Sequence, residues 1–477
     1  MDILIVSFRN NILSWENNLA TRLSSAGYNV HIEYSQTAPA APVLKSVLAF
    51  EGWRNRAAAA SPAFASAGPP PGKPDAVIDL TGRAKPGTAP VLTVEIAGSA
   101  NLAEGVWGLR SGSGMVDLVA RWNGKAVGHA APMIHDRVWL SRDIDQLLVS
   151  VQSLVVQTLA RFRAGVLEEM PVPAAEPARG LPAMAYITRL AAGLAARALE
   201  KVRSGGRDFY WRTAYRFIDG PGIAESGRIA GPDFTTLEDD GQRFYADPFL
   251  FEHDGRSYLF IEEFPYATGR GVISVAELGP DGRFGRPRVV LQEEFHLSYP
   301  NVFARDGSIF MIPEGSAAGE VVLYRAEQFP DRWVRDAVLI EGRIFSDATL
   351  LEHQGRLWMF GTERFAGGSA SDTMTVYSAE HLRGPWTPHP LNPVVIDRAG
   401  ARPGGKIVSI GGRHFLPVQN GSETYGGGLG LREIVKLDAT DIRLGPVLPI
   451  RDAAGKGDAN IHTLNRAGRL EVIDSFR

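Results

Sequence analysis

Cysteine is absent from the 477 residues, and with it go disulfides, thiolate nucleophiles and every zinc site built on sulfur. No apolar run approaches the roughly 20 residues that cross a bilayer as a helix. The opening Met1-Asp-Ile-Leu-Ile-Val-Ser-Phe8 lacks the basic start and long apolar stretch of a secretory signal. Charge of one sign is also lacking: 50 Lys and Arg face 53 Asp and Glu, for a formal charge of −3. No strong field draws in nucleic acid, and no basic stripe alternates with aromatics. The turn after the first strand, Ser7-Phe-Arg-Asn-Asn11, has no glycine fingerprint, which disfavours a phosphate cradled there by backbone. His296 and His389 lie far apart with no partner at metal spacing. These absences predict a cytoplasmic chain that binds no nucleic acid and requires no metal or cofactor.

What the sequence has is a repeat. Five times in the second half a small or polar residue opens an apolar run, a glycine follows eight positions on, and a second apolar run ends in a polar residue. The copies start at Asp247, Tyr299, Asp347, Gly404 and Asn460, and their glycines are Gly255, Gly307, Gly355, Gly412 and Gly468. Two strand-length runs joined by a Gly-containing turn, such as His253-Asp-Gly-Arg256, spell a β-hairpin. Hairpin units recurring at about fifty residues cannot bury a face alone and close radially into a propeller. The spacing predicts a five-bladed, all-β propeller over residues 207–477.

A chain of this length exceeds what one core supports, so a further domain precedes the propeller. Residues 3–8, a helical pattern from Ser14 to Ala26 stopped by Gly27, and Val30–Tyr34 open as α/β. Ala57 to Lys73 reads as a loop, Ala76–Leu80 and Val91–Ile96 as buried parallel strands, and Ser141 to Ala164 as a long helix. The expected organisation is an α/β domain over 1–165, a Pro/Ala linker with an amphipathic helix over 166–206, and the propeller. Within the linker, residues 184–203 put Ile187, Leu190, Ala191 and Leu194 on one face, with Arg189, Arg197, Lys201 and Arg203 elsewhere. That helix either packs between domains or touches a membrane surface.

Gly105 to Arg142, through Asn123-Gly-Lys-Ala-Val-Gly128 and His135-Asp-Arg-Val-Trp-Leu140, resembles the core of the formyltransferase fold used on methionyl-tRNA and amino sugars. The likeness implies a Rossmann-like domain. Gly108 and Arg110 stand where that family carries its Asn and His, and only Asp136 matches its acid, so the reaction is expected to be lost. His129 and His135 are expected to pack rather than replace them.

Tyr245-Ala-Asp-Pro-Phe-Leu-Phe251 resembles the first-blade motif of the five-bladed furanosidases, the arabinanase and xylosidase group, in which the Asp is the base. Where those enzymes place a second Asp and a Glu acid, this chain has Tyr299 and Asp347. A longer likeness runs through His296-Leu-Ser-Tyr-Pro-Asn-Val-Phe303, Ile312-Pro-Glu314, Leu323 to Trp333, Gly384 to Val394, Ala401-Arg-Pro-Gly-Gly405 and Tyr425-Gly-Gly-Gly428. These segments are similar to the propeller region of plant glucosamine inositolphosphorylceramide transferases and to bacterial proteins that join it to a formyltransferase-like start. The resemblance implies glycoconjugate assembly.

Propeller geometry brings the inner-strand starts together at one mouth of a channel. The candidate catalytic residues are Asp247, Asp347 and Glu314, with Asp247 as base. Tyr245, Glu262, Glu263, Tyr299, Glu363, Arg402, Lys406, Gln419, Tyr425 and His462 are candidate sugar contacts, and Asp474 continues the acidic ring. Carboxylates around a concavity suit sugar hydroxyls, and crowding raises the pKa of one so that it can serve as an acid. Trp333, Trp358 and Trp386 are expected in the inter-blade core. The expected activity is glycosyl transfer in surface polysaccharide or glycolipid assembly, from a sugar or nucleotide-sugar donor to a glycan or glycolipid acceptor, with possible membrane contact through 184–203. The alternatives are a furanoside hydrolase, a non-catalytic sugar-binding module, and a formyl- or acyltransferase on an amino sugar.

Overall fold

The computed structural model describes all residues except 9–13, 37–41, 53–71, 84–86, 88, 101–104, 106–114, 137, 173–182, 204–209, 424–425 and 477. Gly108, Arg110 and Tyr425, most of the Ala57–Lys73 stretch and most of the Pro/Ala linker thus lie outside the described residues. The chain divides into two compact units. One holds residues 1–203 with two short later segments, 365–369 and 391–397; the other holds the rest.

The first unit is α/β. The strands Asp2–Phe8, Asn29–Gln36, Ala76–Asp79 and Val91–Ile96 pair in parallel, and Leu118–Trp122 and Lys125–Ala130 extend the sheet antiparallel. The apolar runs Ile3, Ile5, Ile78 and Leu92 bury because helices cover the sheet: Trp15, Leu19 and Leu23 from Ser14–Ser25, and Leu147, Leu154 and Leu159 from Leu140–Arg163. Asp136 accepts backbone N–H bonds from Val138 and Trp139 at 3.2 and 3.1 Å, which organises the turn leading into the long helix.

The second unit is a five-bladed propeller. Blades one, two, four and five are four-stranded antiparallel meanders and the sheet of blade three has five strands; the inner strands of the first three are Arg243–His253, Ser298–Arg305 and Phe345–His353. Inner and second strands form the hairpins read from the sequence. Blade five is assembled from both ends of the unit: Leu464–Ala467 and Leu470–Phe476 supply its inner strands, and Trp211–Phe217 and Thr235–Thr236 its outer ones. Blades adhere through shared apolar clusters. Phe249, Phe260 and Val275 of blade one meet Tyr299, Val302 and Trp333 of blade two, and Phe310 and Leu323 of blade two meet Phe345 and Met359 of blade three.

The three tryptophans have structural surroundings. Trp333 is buried in the cluster shared by blades one and two and donates to the Pro330 carbonyl at 2.8 Å. Trp386 packs against the cluster shared by blades two and three and donates to the Leu382 carbonyl at 3.0 Å. Trp358 is buried on the second strand of blade three.

A common irregularity shapes the channel. In blades one to three the hairpin register slips next to one left-handed residue: Asp247 at φ 47°, Tyr299 at 46° and Asp347 at 56°. Such a β-bulge bends the inner strand and re-aims the side chains around it. Left-handed backbone is unfavourable for these residue types, and strain of this kind concentrates at functional sites.

Candidate functional site at the propeller axis

The bulged residues link neighbouring blades. The Asp247 N–H donates to Asp474 Oδ2 at 2.9 Å, and the Tyr299 N–H donates to Asp247 Oδ2 at 3.2 Å, so blades five, one and two are tied by carboxylates. Asp474 Oδ1 takes the Thr463 N–H and hydroxyl at 2.7 and 2.8 Å. Burial pushes the Asp474 carboxyl up, but His462, the Asp247 N–H and Thr463 outweigh it and leave its pKa lowered. The His462 Nδ1 lies 3.4 Å from Asp247 Oδ1 and 3.3 Å from Asp474 Oδ2, under the ring of Trp211. Asp247 Oδ1 is buried and accepts no hydrogen bond among the described residues. Asp247, His462 and Asp474 each offer one ligand atom, all within 4.8 Å of one another, so these three could hold a metal ion. An imidazole shared by two carboxylates has the same geometry.

On the other side of the axis, Asp347 and Glu314 share one arginine. Arg402 donates from Nε to Asp347 Oδ2 at 2.6 Å and from Nη2 to Asp347 Oδ1 at 3.3 Å and Glu314 Oε2 at 3.1 Å. Gln419 Nε2 adds a bond to Asp347 Oδ2 at 2.9 Å, and Ser316 and Ser346 donate to Glu314 Oε1. Burial drives the Asp347 carboxyl well above the usual range; Arg402 opposes this and Glu314 adds to it. Glu314 feels burial too, but Arg402 and the hydrogen bond from Asp347 hold it below its ordinary value. The pair therefore keeps one proton, on Asp347.

Glu262 faces the same space. Burial raises its pKa, His296 opposes, and Asp247 and Glu314 push it further up. His296 Nε2 lies 3.2 Å from Glu262 Oε1, while its Nδ1 accepts the Gly271 N–H at 3.0 Å. That N–H fixes the Nε2–H tautomer in the neutral ring, and the surrounding carboxylates outweigh burial to raise the His296 pKa. At 40% side-chain exposure, His296 is the solvent-facing member of the group.

The structure thus gathers Asp247, Glu262, Glu314, Asp347, Arg402, Gln419, His462 and Asp474, and places several other candidates elsewhere. Glu263 and Glu363 sit one residue beyond Glu262 and Thr362 on their strands, and so on the opposite face. Both are bound by an arginine at the start of the inner strand, Arg243 as its first residue in blade one and Arg343 two residues ahead of it in blade three, and by Ser274 or Tyr377. Neither borders the acidic group. Tyr245 lines a lateral cavity of about 350 Å³ with Tyr215, Phe284 and Arg286; its phenol is pushed up to about 12 by burial and Glu263. The Tyr299 ring is fully buried, and its hydroxyl is bonded to Thr349 at 2.8 Å and to Gly405 N–H at 2.7 Å. Lys406 Nζ donates to the carbonyls of Leu250 at 3.1 Å and Val302 at 2.8 Å and forms no ion pair among the described residues. In blade four, whose strands are Val408–Ile410, Arg413–Gln419, Leu429–Leu437 and Ile442–Pro449, the positive-φ residue ahead of the inner strand is Gly405, at φ 142°, rather than Gly404, and in blade five Asn460 is exposed while His462 turns inward.

His296 is the residue that sequence reasoning missed as a participant. Its signal was the glycine at 271: a Cβ there would stand 2.8 Å from His296 Cε1 and 2.9 Å from Glu262 Oε1.

The family described as glucosamine inositolphosphorylceramide transferase 1, N-terminal, matches residues 233–472, which contain every member of this group except Asp474. The chain belongs to that family. It is 34% identical to glucosamine inositolphosphorylceramide transferase 1 of Oryza sativa subsp. japonica over 218 residues, 45% of this chain and 29% of that protein. The transferase of the same name from Arabidopsis thaliana is 31% identical over 218 residues, 28% of its own length. The chain thus matches under a third of the length of these curated relatives. Among solved structures it is similar to a thermostable family-43 glycoside hydrolase, at TM-score 0.35 and 14% identity over 43% of this chain and 75% of that one. It is also similar to a family 117 glycoside hydrolase from Zobellia galactanivorans, at TM-score 0.35 and 11% identity over 56% and 91%.

Proposed function

We propose that the axial acidic group binds a sugar and that the chain acts in glycosyl transfer during polysaccharide or glycolipid assembly, using a sugar or nucleotide-sugar donor and a glycan or glycolipid acceptor. The observation that carries this reading is Asp247 Oδ1, which is buried, accepts no hydrogen bond among the described residues and is approached by His462 Nδ1 only at 3.4 Å. A buried carboxylate oxygen without a donor is costly, and a sugar hydroxyl supplies the donor. Asp247 is then the base that takes the acceptor hydroxyl proton. Family membership supports the sugar chemistry, since the relatives are named as glucosamine transferases.

The roles of the other acids follow from their partners. Asp347 is 1% exposed and bound by Arg402 and Gln419, so it fixes the shape of the site rather than reaching substrate. Glu262, with its raised pKa and its exposed partner His296, is the candidate proton donor to a leaving group. A base and an acid facing one space also suit furanoside hydrolysis with the same two residues. A donor–acceptor screen run beside aryl-furanoside hydrolysis separates the readings. Asp247→Asn is expected to lower whichever activity is found at least about 100-fold with unfolding unchanged. Full activity in that variant refutes the assignment of Asp247.

The formyltransferase likeness of the first unit belongs to the same proposal, as a retained fold without the reaction. Asp136, the residue matched to the family acid, is bound by Arg142 at 2.9 Å and Arg197 at 2.8 Å. Burial pushes its pKa up, but these donors outweigh it and leave it lowered, which suits an ion-pair anchor and not a proton carrier.

A further inference from the structure

The lateral cavity of about 350 Å³ lies where blade five meets blade one, and all of its walls belong to the propeller unit. That volume is at the lower end of the range of small-molecule sites. Its apolar lining comes from the cluster the two blades share: Tyr215 and Leu237 from blade five, Tyr245 and Phe284 from blade one. The clusters of the next two junctions include Trp333 and Trp386, whereas this one has no tryptophan among the described residues. Backbone bonds fix the walls. Thr235 and Thr236 pair with Tyr215 and Ala214, the Leu237 N–H donates to the Thr213 carbonyl at 2.9 Å, and the turn presenting Arg283 closes by a bond from the Gly279 N–H to the Arg283 carbonyl at 2.8 Å. The space is therefore ready-made, as ligand sites mostly are.

Its polar groups say what it takes. Tyr245 is 4% exposed, yet its hydroxyl makes no hydrogen bond among the described residues. Burial, with the Glu263 charge behind it, keeps the phenol protonated at neutral pH, so it can both donate and accept. At the rim, Arg286 is engaged by Asp240 at 3.2 Å and Asp239 by the Tyr210 hydroxyl at 2.7 Å. The side chains of Glu238 and Arg283 are bonded to nothing among the described residues. These two free charges have opposite signs, so the rim favours neither an anion nor a cation. What it offers is aromatic carbon, a hydroxyl that works in both directions, an acceptor and a forked donor. A neutral sugar has the matching parts: C–H bonds that pack on aromatic carbon, and hydroxyls that donate and accept.

We propose that this cavity is a second carbohydrate site, taking one or two rings of a neutral glycan between blades five and one, with the apolar face of the sugar against Tyr215 and Phe284 and its hydroxyls on Tyr245, Glu238 and Arg283. It goes beyond the axial reading and does not depend on it, because no member of the axial group lines the cavity.

The test is saturation-transfer NMR of the full chain with neutral mono- and disaccharides of glucose, galactose, mannose, arabinose and N-acetylglucosamine, followed by titration of the tightest binder. Tyr245→Phe removes one oxygen and no packing, and is expected to weaken that binding about fivefold. The Glu238→Ala, Arg283→Ala double variant changes two exposed side chains, so it should keep its melting temperature and weaken binding at least about tenfold. Both losses should recur in an Asp247→Asn background, where the axial contact is altered. Binding that neither lateral variant changes overturns the proposal, as does the absence of binding to every sugar of the panel. Binding that Asp247→Asn abolishes and the lateral variants spare assigns the sugar to the axis; this also overturns the proposal, while leaving the axial reading in place.

Discussion

Replacing Arg402 by Met removes the cation that, among the described residues, pairs with both Asp347 and Glu314. Three charge-assisted bonds disappear, at 2.6, 3.1 and 3.3 Å, and two buried carboxyls are left facing each other. Breaking a buried pair by removing one partner costs about 3–5 kcal/mol. At about 2–4 °C per kcal/mol for a unit of this size, the melting temperature should fall by roughly 10 °C at neutral pH. The pH dependence carries the sharper information. Glu314 is held low by Arg402, so its ionised form stabilises the native state above its unfolded pKa, and that contribution is lost as pH falls. Asp347 is raised, so it opposes folding progressively as pH rises from its unfolded value. Without the guanidinium both groups favour the protonated form, and the deficit of Arg402→Met should be largest at neutral pH and shrink towards about pH 5. Asp347→Asn is the counterpart: its carbonyl can keep the Arg402 Nε and Gln419 bonds while its amide donates to Glu314, for a cost of about 1 kcal/mol. Calorimetric melting of the three proteins from about pH 5 to about pH 8 checks the scheme. A melting point for Arg402→Met unchanged at neutral pH, or a loss in Asp347→Asn as large as in Arg402→Met, would refute the shared-proton reasoning.

Two further outcomes are expected. Gly405→Ala places a Cβ 2.1 Å from the Leu464 carbonyl at φ 142°, and should cost about 3 kcal/mol or more, read as a lost or strongly lowered melting transition. Burial lowers the Lys406 pKa to about 8, so between that value and its unfolded one the unfolded chain binds more protons and stability rises with pH. Relative to Lys406→Met, the wild type should gain about 2 kcal/mol from about pH 7.5 to about pH 9.5 in urea unfolding; parallel profiles of the two proteins would show that the ammonium is not desolvated.

The blade pattern was legible because a hairpin is a local object: alternating runs and a turn glycine such as Gly255 specify it within a dozen residues. The bulge was not, since nothing at Asp247, Tyr299 or Asp347 advertises a left-handed backbone; non-glycine residues adopt it under tertiary constraint. That hidden extra residue is why Glu262 and Glu263 could not be told apart by counting, and why Glu363 was grouped with Glu314 although Thr362 is its true equivalent in register. Long-range pairings were beyond reach for the same reason. Arg402 was read as a sugar contact, but its guanidinium is taken up by Asp347 and Glu314, 55 and 88 positions away. His296 looked isolated because its partner, Glu262, lies on the preceding blade.

The pairing of Trp211–Phe217 with Leu470–Phe476 has a consequence for how the propeller can be cut. Seven consecutive cross-strand partners, from Trp211↔Phe476 to Phe217↔Leu470, make the two ends of the unit neighbours in one sheet. A circular permutant that joins these termini by a short linker and opens the chain at an inter-blade connection would carry the fifth blade as a continuous segment. Its ring would then be held shut by side-chain packing between whole blades, with no sheet sewn from opposite ends of the polypeptide.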